Sequence, residues 1–355
     1  MVGCAAAAFL AEAGAKVEVY ERDEVGSGAS GRNSGVVQHP FDPVLAELHT
    51  ETVDILRSLE HLDLPEEPAG VLMLSRDRSE VEAVASEIAR DVPVLDPVVL
   101  GPRELAGVEP AIAPGVRACR LETGYPVGPL AATRALARRA HAAGAVFREH
   151  EVAWPWIGAG KARGVIAAGV RRAAESVLVT AGPWTPEVVD TTRAWRPIGA
   201  VWGVVLEMAL PEPPRHVVEQ TGVEGVAAGP QALHGGAVFS AVPAPGGESV
   251  SLGSTFLRDE PEPEAWEGRI RRAARDFLPG VAGAEVIGLR ACARPQSFDG
   301  RPLVGPALGI DRLWVAAGHG PWGISTGAAT GRLVADALLE RGEIPAALSA
   351  ARASG

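Results

Sequence analysis

Lys16-Val17-Glu18-Val19-Tyr20-Glu21 and the loop after it, Arg22-Asp23-Glu24-Val25-Gly26-Ser27-Gly28-Ala29-Ser30-Gly31-Arg32-Asn33-Ser34-Gly35, decide the fold. Apolar and polar residues alternate in the first segment, which predicts a strand that ends at Glu21. The loop is rich in glycine and serine, whose backbone N–H groups and short hydroxyls suit phosphate oxygens. A flexible linker has a similar composition. The position directly after an acidic strand end, together with Arg32-Asn33, favours a binding loop instead.

The residues before this strand predict a helix, because Met1 to Gly14 is rich in alanine and Gly14 is a typical helix stop. Such a helix, turn and strand form the second half of a βαβ dinucleotide-binding unit. In that unit an acid contacts ribose about 20 residues after the glycine motif, and Glu21 follows Gly3 by 18 positions. Gly3 would then be the third glycine of G-x-G-x-x-G. The first strand and the first two glycines are absent, through either a start codon placed too late or a true fragment.

The order Val-Gly-x-x-x-Ala, a strand ending Tyr-Glu-Arg and then Gly-Ser-Gly-Ala-Ser-Gly-Arg-Asn-Ser-Gly resembles the start of the D-amino-acid oxidase family of FAD-dependent oxidoreductases. The glycine oxidase and sarcosine oxidase branch is the most similar. The resemblance implies FAD as the cofactor, with Glu21 on the adenosine ribose. The cofactor-binding residues that it implies are Gly3, Glu21, Arg22, Ser30, Arg32, Asn33, Gly35, Val152, Gly182, Trp184, Gly318, Gly320, Trp322, Gly323 and Ile324.

Composition and charge narrow the classes of function. The chain has 355 residues, enough for two domains, and its net charge of −11 argues against a nucleic-acid or anionic-membrane partner. The cysteines Cys4, Cys119 and Cys292 are widely spaced and suggest neither a disulfide framework nor a metal site. No apolar run is long enough for a transmembrane helix. We therefore expect a cytoplasmic protein that acts on a small molecule.

We predict an α/β chain, α+β overall, in which an FAD-binding Rossmann-like domain is interleaved with a substrate domain built on an antiparallel sheet. The expected division gives the cofactor domain residues 1–68, 128–195 and 285–355, and the substrate domain residues 69–127 and 196–284. Strands predicted between Arg196 and Thr255 would supply the sheet. The resemblance also implies that Val152 contacts the adenine and that Ala181-Gly182-Pro183-Trp184 turns toward the cofactor.

A second informative stretch is Arg294-Pro295-Gln296-Ser297-Phe298-Asp299-Gly300-Arg301-Pro302-Leu303-Val304-Gly305. It looks like the family pattern Arg-Pro-x-x-x-Asp-Gly-x-Pro-x-x-Gly, in which the arginine binds the substrate carboxylate. A guanidinium fork suits that task, although a surface ion pair is the alternative. Sarcosine oxidase relatives carry a flavin-linked cysteine near the position of Cys292, but the residues around it favour a buried structural thiol.

The third stretch is Gly318-His319-Gly320-Pro321-Trp322-Gly323-Ile324-Ser325, and a helix is predicted to begin near Thr326. It is similar to the family's C-terminal flavin motif. The positive end of the helix would stabilise negative charge on a reduced flavin. His319 is a candidate catalytic residue. The family reaction is usually described as needing no protein base, so a positioning role is expected for it.

The resemblance implies oxidation of the C–N bond of an amino acid or secondary amine that carries a carboxylate, giving an imine. Two alternatives stay open: an FAD-dependent 2-hydroxy-acid dehydrogenase, and a chain that does not retain FAD. Some oxidase relatives place a lysine over the flavin. The chain has only Lys16 and Lys161, and neither lies where that would require, which leans toward a dehydrogenase. The sequence does not name the substrate.

Overall fold

The computed structural model describes residues 1–222, 236–247, 249–307 and 309–353. Its helices are α1 Val2–Glu12, α2 Ala29–Arg32, α3 Pro43–Arg57, α4 Arg78–Asp91, α5 Pro102–Val108, α6 Pro129–Ala142, α7 Thr185–Val189, α8 Glu267–Arg275 and α9 Gly323–Leu338. Its strands are β1 Glu18–Tyr20, β2 Val36–Val37, β3 Val71–Ser75, β4 Val98–Leu100, β5 Arg117–Leu121, β6 Tyr125–Pro126, β7 Val146–Arg148, β8 Ala153–Gly158, β9 Lys161–Ala167, β10 Val170–Ala173, β11 Val177–Val179, β12 Ile198–Ala209, β13 Val217–Gln220, β14 Ala237–Pro243, β15 Val250–Thr255, β16 Glu285–Ser297, β17 Leu303–Pro306 and β18 Leu313–Ala317. Helices and strands are mixed throughout, which confirms the predicted fold class. Within these ranges, no helix combines the length and apolar character needed to cross a bilayer.

The largest element is an eight-stranded sheet with the order β16-β12-β15-β14-β13-β3-β5-β4. Neighbouring strands are antiparallel except β13 and β3, which run parallel. The strands predicted between Arg196 and Thr255 pair antiparallel, as expected, and the parallel pair of β13 with β3 makes the whole sheet mixed. The reason is that β3 ends at Ser75 and β13 begins only at Val217, so no hairpin joins them and the chain returns in the same direction.

The two faces of this sheet have different covers. One face is apolar and packs against α8, with Leu206, Phe239 and Leu252 among its buried side chains. Residues alternate between faces along each strand. On the opposite face, α4 covers strands β3 and β5. The rest of that face, formed by β16, β12, β15, β14 and β13, faces α1 and α9. We call this rest the inner face; Gly203, Val205 and Arg294 lie on it.

The remaining parallel strands form small sheets under α1 and α9. β1 pairs with β7 and β11 with β18, both in parallel, and β17 joins β18 antiparallel. The two helices approach closely because a glycine lies at their crossing. A Cβ on Gly331 would lie 2.5 Å from the Cβ of Ala5 and 2.7 Å from the carbonyl oxygen of Val2. Any larger residue there would push α1 away from α9.

The sequence does not reveal β16, because Arg294-Pro295 suggests a turn, yet both residues lie inside this 13-residue strand. Proline is tolerated since β16 is the edge strand of the large sheet. The strand pairs with β12 along its whole length, from Ile198 opposite Ser297 to Ala209 opposite Glu285. This pairing fixes which of its side chains reach the inner face.

We expect Gly331→Ala to lower the free energy of unfolding by about 2 kcal/mol. The added methyl group meets backbone atoms that cannot move aside, and this overpacking exceeds the gain of about 1 kcal/mol from replacing a helical glycine. Urea unfolding measures the change. Gly107→Ala in α5 is the control, because no atom lies within 4 Å of the added Cβ; it should be neutral or stabilising. Equal effects of the two substitutions would contradict the close helix crossing.

Candidate cofactor and active site

The carboxyl ends of β1 and β11 meet at one place. The Arg22 guanidinium, just after β1, lies 4.0 Å from the ring centroid of Trp184 in the turn after β11. At the start of α1, a Cβ on Gly3 would lie 2.5 Å from Thr180 Oγ1, so a larger residue there would require the Thr180 side chain to move. Ligands of open α/β sheets bind at the carboxyl ends of the strands. Gly3, Arg22 and Trp184 therefore surround the place where a dinucleotide is expected.

The Gly26–Gly35 loop is held by its own side chains. Asn33 Nδ2 donates to the carbonyl oxygens of Ala29 and Ser30 at 3.0 and 3.1 Å, and Asn33 Oδ1 accepts from Gly35 N at 2.9 Å. Ser30 Oγ accepts a hydrogen bond from the amino group of Met1 at 3.1 Å. The Asn33 amide thus shapes the loop, and the exposed Arg32 side chain lies at its end.

Glu21 and Val152 lie side by side, as a shared adenosine site requires. Glu21 N donates to the carbonyl oxygen of Arg148 at 3.0 Å, and Glu151 N donates to the carbonyl oxygen of Glu21 at 2.9 Å. Val152 follows directly and is 51% exposed. The end of β1 and the segment after β7 therefore lie next to each other on one side of the predicted adenosine site.

The Gly318–Ser325 loop continues the site at the end of β18. Gly318 and Gly320 have φ values of +97° and +55°, and a Cβ on Gly320 would lie 2.5 Å from Gln296 Oε1. Trp322 and Ile324 are buried, and Ser325 Oγ accepts from Gln38 N at 3.0 Å. α9 begins at Gly323, slightly before the predicted start, so its positive end lies inside this loop.

His319 is fully buried beneath α9. Its Nε2 lies 3.0 Å from Thr330 Oγ1, whose hydroxyl donates to the carbonyl oxygen of Thr326 at 2.9 Å. By this network Nε2–H is the donor to Thr330. Burial, aided by the N-terminal ammonium, lowers the pKa of His319 to about 3. This geometry supports a positioning role, and a catalytic role of His319 stays an untested prediction.

Strand β16 joins the Gly26–Gly35 loop and the Gly318–Ser325 loop to the large sheet; we call these two the cofactor loops, after their predicted role. Arg290, Cys292, Arg294 and Gln296 alternate onto its inner face. Arg290 Nε donates to the carbonyl oxygen of Arg32 at 3.1 Å and Nη2 donates to that of Asn33 at 3.2 Å. At the other end, Gln296 forms a bridge with His319. The sequence analysis missed Arg290, although the period of two from Arg290 to Gln296 is its signal.

Two further contacts fix the Arg290 guanidinium from the sheet. Nη1 donates to Glu207 Oε2 at 3.2 Å, and Nη2 donates to Ser251 Oγ at 3.0 Å. The side chain therefore ties the end of α2 to strands β12 and β15. A cation at the last carbonyls of a helix is also favourable electrostatically.

The Arg294 guanidinium lies over Gly203 on the inner face. Nη1 donates to the carbonyl oxygen of Thr255 at 2.8 Å, Nη2 donates to Ser254 Oγ at 2.6 Å, and the Phe256 ring centroid is 4.6 Å away. Arg294 forms no ion pair with any described residue. The alternative raised by the sequence, an arginine in a surface ion pair, therefore does not apply within the described part of the chain. Burial lowers the pKa of Arg294. A partly buried cation held this way suits an anionic ligand.

The turn after β11 has room for a ligand such as FAD. Gly182 has a φ of +56°, and no protein atom lies within 4 Å of its Cβ position, so the turn after β11 is open to a ligand. The thiol of Cys292 is buried, and burial raises its pKa, which supports a structural role. The cofactor residues implied by the sequence lie on the loops described above, and this placement fits FAD; the roles of the individual residues stay predictions.

Buried histidines predict an acid-sensitive fold. Burial lowers the pKa of His49 to about 4 and that of His319 to about 3. Near pH 6.5 these histidines therefore bind protons in the unfolded chain but not in the folded chain. The free energy of unfolding should decrease as the pH is lowered from about 6.5 to 4. The loss is up to about 1.4 kcal/mol per pH unit for each histidine.

The test is urea unfolding at several pH values with His49→Phe, which removes one titrating group and should flatten this slope. His141→Phe on the exposed side of α6 is the control and should leave the slope unchanged. The same slope in wild type and His49→Phe would contradict the assignment.

Comparisons with known proteins agree with this geometry. A glycine oxidase of Bacillus licheniformis is 26% identical over 362 residues, which cover 96% of this chain and 90% of that protein. A D-amino acid dehydrogenase of Xanthobacter autotrophicus is 27% identical and covers 83% of this chain and 69% of its own length. Among solved structures, an iminodiacetate oxidase from Chelativorans sp. BNC1 superposes with a TM-score of 0.83 at 22% identity, covering 98% of this chain and 96% of that one.

The family model described as FAD dependent oxidoreductase matches residues 1–337, nearly the whole chain. This match confirms the resemblance seen in the sequence and the FAD assignment. The chain belongs to the family of FAD-dependent oxidoreductases.

Proposed function

We propose that this enzyme oxidises the C–N bond of an amino acid, or of a secondary amine bearing a carboxylate, to an imine. The observation that carries the proposal is the Arg294 guanidinium, which is partly buried on the inner face and has no carboxylate partner among the described residues. It lies on the same strand that holds both cofactor loops. A substrate carboxylate would supply the missing anion.

The relatives favour an amine over an alcohol as the reacting group. By their names, they act on glycine, D-amino acids and iminodiacetate. The alternative of a 2-hydroxy-acid dehydrogenase has no comparable support. We therefore assign the reaction to a carbon that bears nitrogen.

The residues of the chain would bind and orient the substrate. Two of the five Arg294 N–H groups are fixed by Thr255 and Ser254, so the planar fork has one orientation before the substrate arrives. A carboxylate on this fork places its α-carbon at a set distance from the sheet. The substrate loses a hydride from that carbon and a proton from its nitrogen. Bound FAD supplies the two-electron acceptor.

The Gly318–Ser325 loop would stabilise the charge that this transfer creates. α9 has 16 residues, and its positive end lies at Gly323. Partial positive charge at a helix N-terminus favours an anion in front of it. His319 supports this loop from below through Thr330 and takes no proton near neutral pH.

Several finer assignments stay predictions. The domain division at residues 1–68, 69–127, 128–195, 196–284 and 285–355 is one of them, and β16, placed there with the cofactor domain, is the edge strand of the large sheet. Cytoplasmic location and the absence of a nucleic-acid partner are others.

The two lysines lie away from the predicted flavin site. Lys161 pairs with Asp311 at 3.1 Å, and Lys16 is exposed in the turn after α1. This placement supports an acceptor other than oxygen.

Arg294→Met should lower kcat/KM for an amino acid by about 10²–10³-fold, because the carboxylate loses its charged partner. The measurement is the rate of flavin reduction without oxygen. The same variant should change little on the matching amine that lacks the carboxylate. Arg294→Lys should recover part of the loss, since it restores the charge without the fork. An equal loss on both substrates would refute the carboxylate role.

Arg290→Met should weaken FAD binding about 10–100-fold, because the Arg32 and Asn33 carbonyls lose their charged donor. Titration of the apoprotein by flavin fluorescence measures the affinity. Arg271→Met on α8 is a matched control, since Arg271 also bonds a carboxylate and a backbone carbonyl, of Glu267 and Val281, on the other face. An unchanged FAD affinity in Arg290→Met would refute the tether.

A further inference from the structure

A buried polar cluster lies at the far end of the inner face from Arg294. It consists of Gln38, Glu219 and Ser240, which are 4%, 8% and 7% exposed. Gln38 Nε2 donates to Glu219 Oε2 at 3.4 Å. Gln38 Oε1 is buried and has no hydrogen-bond partner in the part of the chain that the structure describes. A buried acceptor of this kind is costly unless a ligand supplies a donor.

Strand register places the cluster on the same face as Arg294. Glu219 is opposite Ser240, and Ser240 is opposite Gly253. The register of β15 against β12 puts Gly253 beside Val205, which shares its face with Gly203 and Arg294. Gln38 reaches the cluster from the cofactor side, where its backbone bonds Ser325. The cluster therefore lies between the sheet and the Gly318–Ser325 loop.

The cluster is too far from Arg294 to bind the substrate nitrogen that is oxidised. The Arg294 guanidinium crosses β12 and bonds Ser254 and Thr255 at the end of β15, whereas Glu219 is on β13. Two strand spacings separate β15 from β13, about 10 Å in all. The carboxylate and the amino group of an α-amino acid share one carbon and are roughly 3 Å apart. The cluster therefore does not hold the nitrogen that is oxidised.

The span suits the far end of a long side chain. In an extended lysine the terminal nitrogen is roughly 7 Å from the carboxylate carbon, and the Glu219 side chain shortens the remaining gap. The cluster presents a carboxylate and an amide oxygen, which accept hydrogen bonds. An ammonium group is the complementary donor.

Resting on the proposed function, we infer that the substrate is an amino acid with a second, protonated nitrogen at the end of its side chain, bound by Gln38 and Glu219. The enzyme then binds both ends of one molecule: its carboxylate at Arg294 and its terminal ammonium at the cluster. An apolar side chain of the same length would leave Gln38 Oε1 buried without a donor, so it is rejected.

Comparison of lysine with norleucine tests this inference, because norleucine has a similar length and no terminal nitrogen. Both enantiomers of each are used, and flavin reduction is followed without oxygen. We expect kcat/KM to favour lysine by at least about tenfold in the wild type. In Glu219→Gln and in Gln38→Met that ratio should fall toward one. Ser79→Ala on the exposed surface of α4 is the control and should keep the wild-type ratio.

A binding measurement needs no turnover. 6-Aminohexanoate carries the carboxylate and a distant ammonium but no α-amine, and hexanoate lacks the ammonium as well. Each is titrated against the FAD-loaded wild type, with the visible flavin spectrum as the readout. We expect 6-aminohexanoate to bind at least about tenfold more tightly.

The outcomes separate the inference from the proposed function. Equal flavin reduction by lysine and norleucine, or equal binding of the two hexanoates, overturns the inference while amine oxidation stands. A lysine preference that persists in both variants also overturns it. If FAD is retained and no amino acid reduces it, the proposed function fails, and the inference fails with it. The wild-type measurements decide the matter even if a variant does not fold.

Discussion

The pairing of β12 with β16 is the constraint on which the site depends. It extends from Ile198 opposite Ser297 to Ala209 opposite Glu285, and the register is continuous from Gly288 to Ser297, the part that carries both arginines. A shift by one residue would send Arg290 and Arg294 to the face covered by α8. With the observed register, one end of β16 reaches the Arg32 and Asn33 carbonyls and the other reaches His319. One strand thus links the sheet to two cofactor loops that are distant in sequence.

The two arginines on this strand differ in their partners, and this difference underlies the different roles proposed for them. Arg290 has Glu207 as a partner at 3.2 Å and acts as a structural tie. Arg294 is held by an uncharged hydroxyl and a carbonyl oxygen, and burial disfavours its charge. Removing a cation from water without an anion is unfavourable. In the proposed function a carboxylate substrate would offset that cost, and its binding would also orient it.

Local patterns were sufficient to predict strand β1 and the positions of the two loops to which cofactor binding is assigned as a prediction. Alternation up to Glu21, the glycine-rich loop and the Gly318–Ser325 loop all lie within short stretches, and local chemistry determines them. The sequence could not predict β16, because its pairing with β12 is long-range and Pro295 argues against a strand. It also could not predict the Gln38 cluster, since Gln38 and Glu219 are 181 positions apart and meet only through the fold. The parallel pairing of β13 with β3 was missed for the same reason.

Amide hydrogen exchange with and without FAD tests most directly whether β16 assembles one cofactor site from the two loops. The account predicts that FAD slows exchange in Gly26–Gly35 and in Gly318–Ile324 together, at the same FAD concentration. Exchange in β4 and β5, at the edge of the large sheet opposite β16, should not change. Protection of only one of the two loops, or protection of each at a different FAD concentration, would contradict a single site.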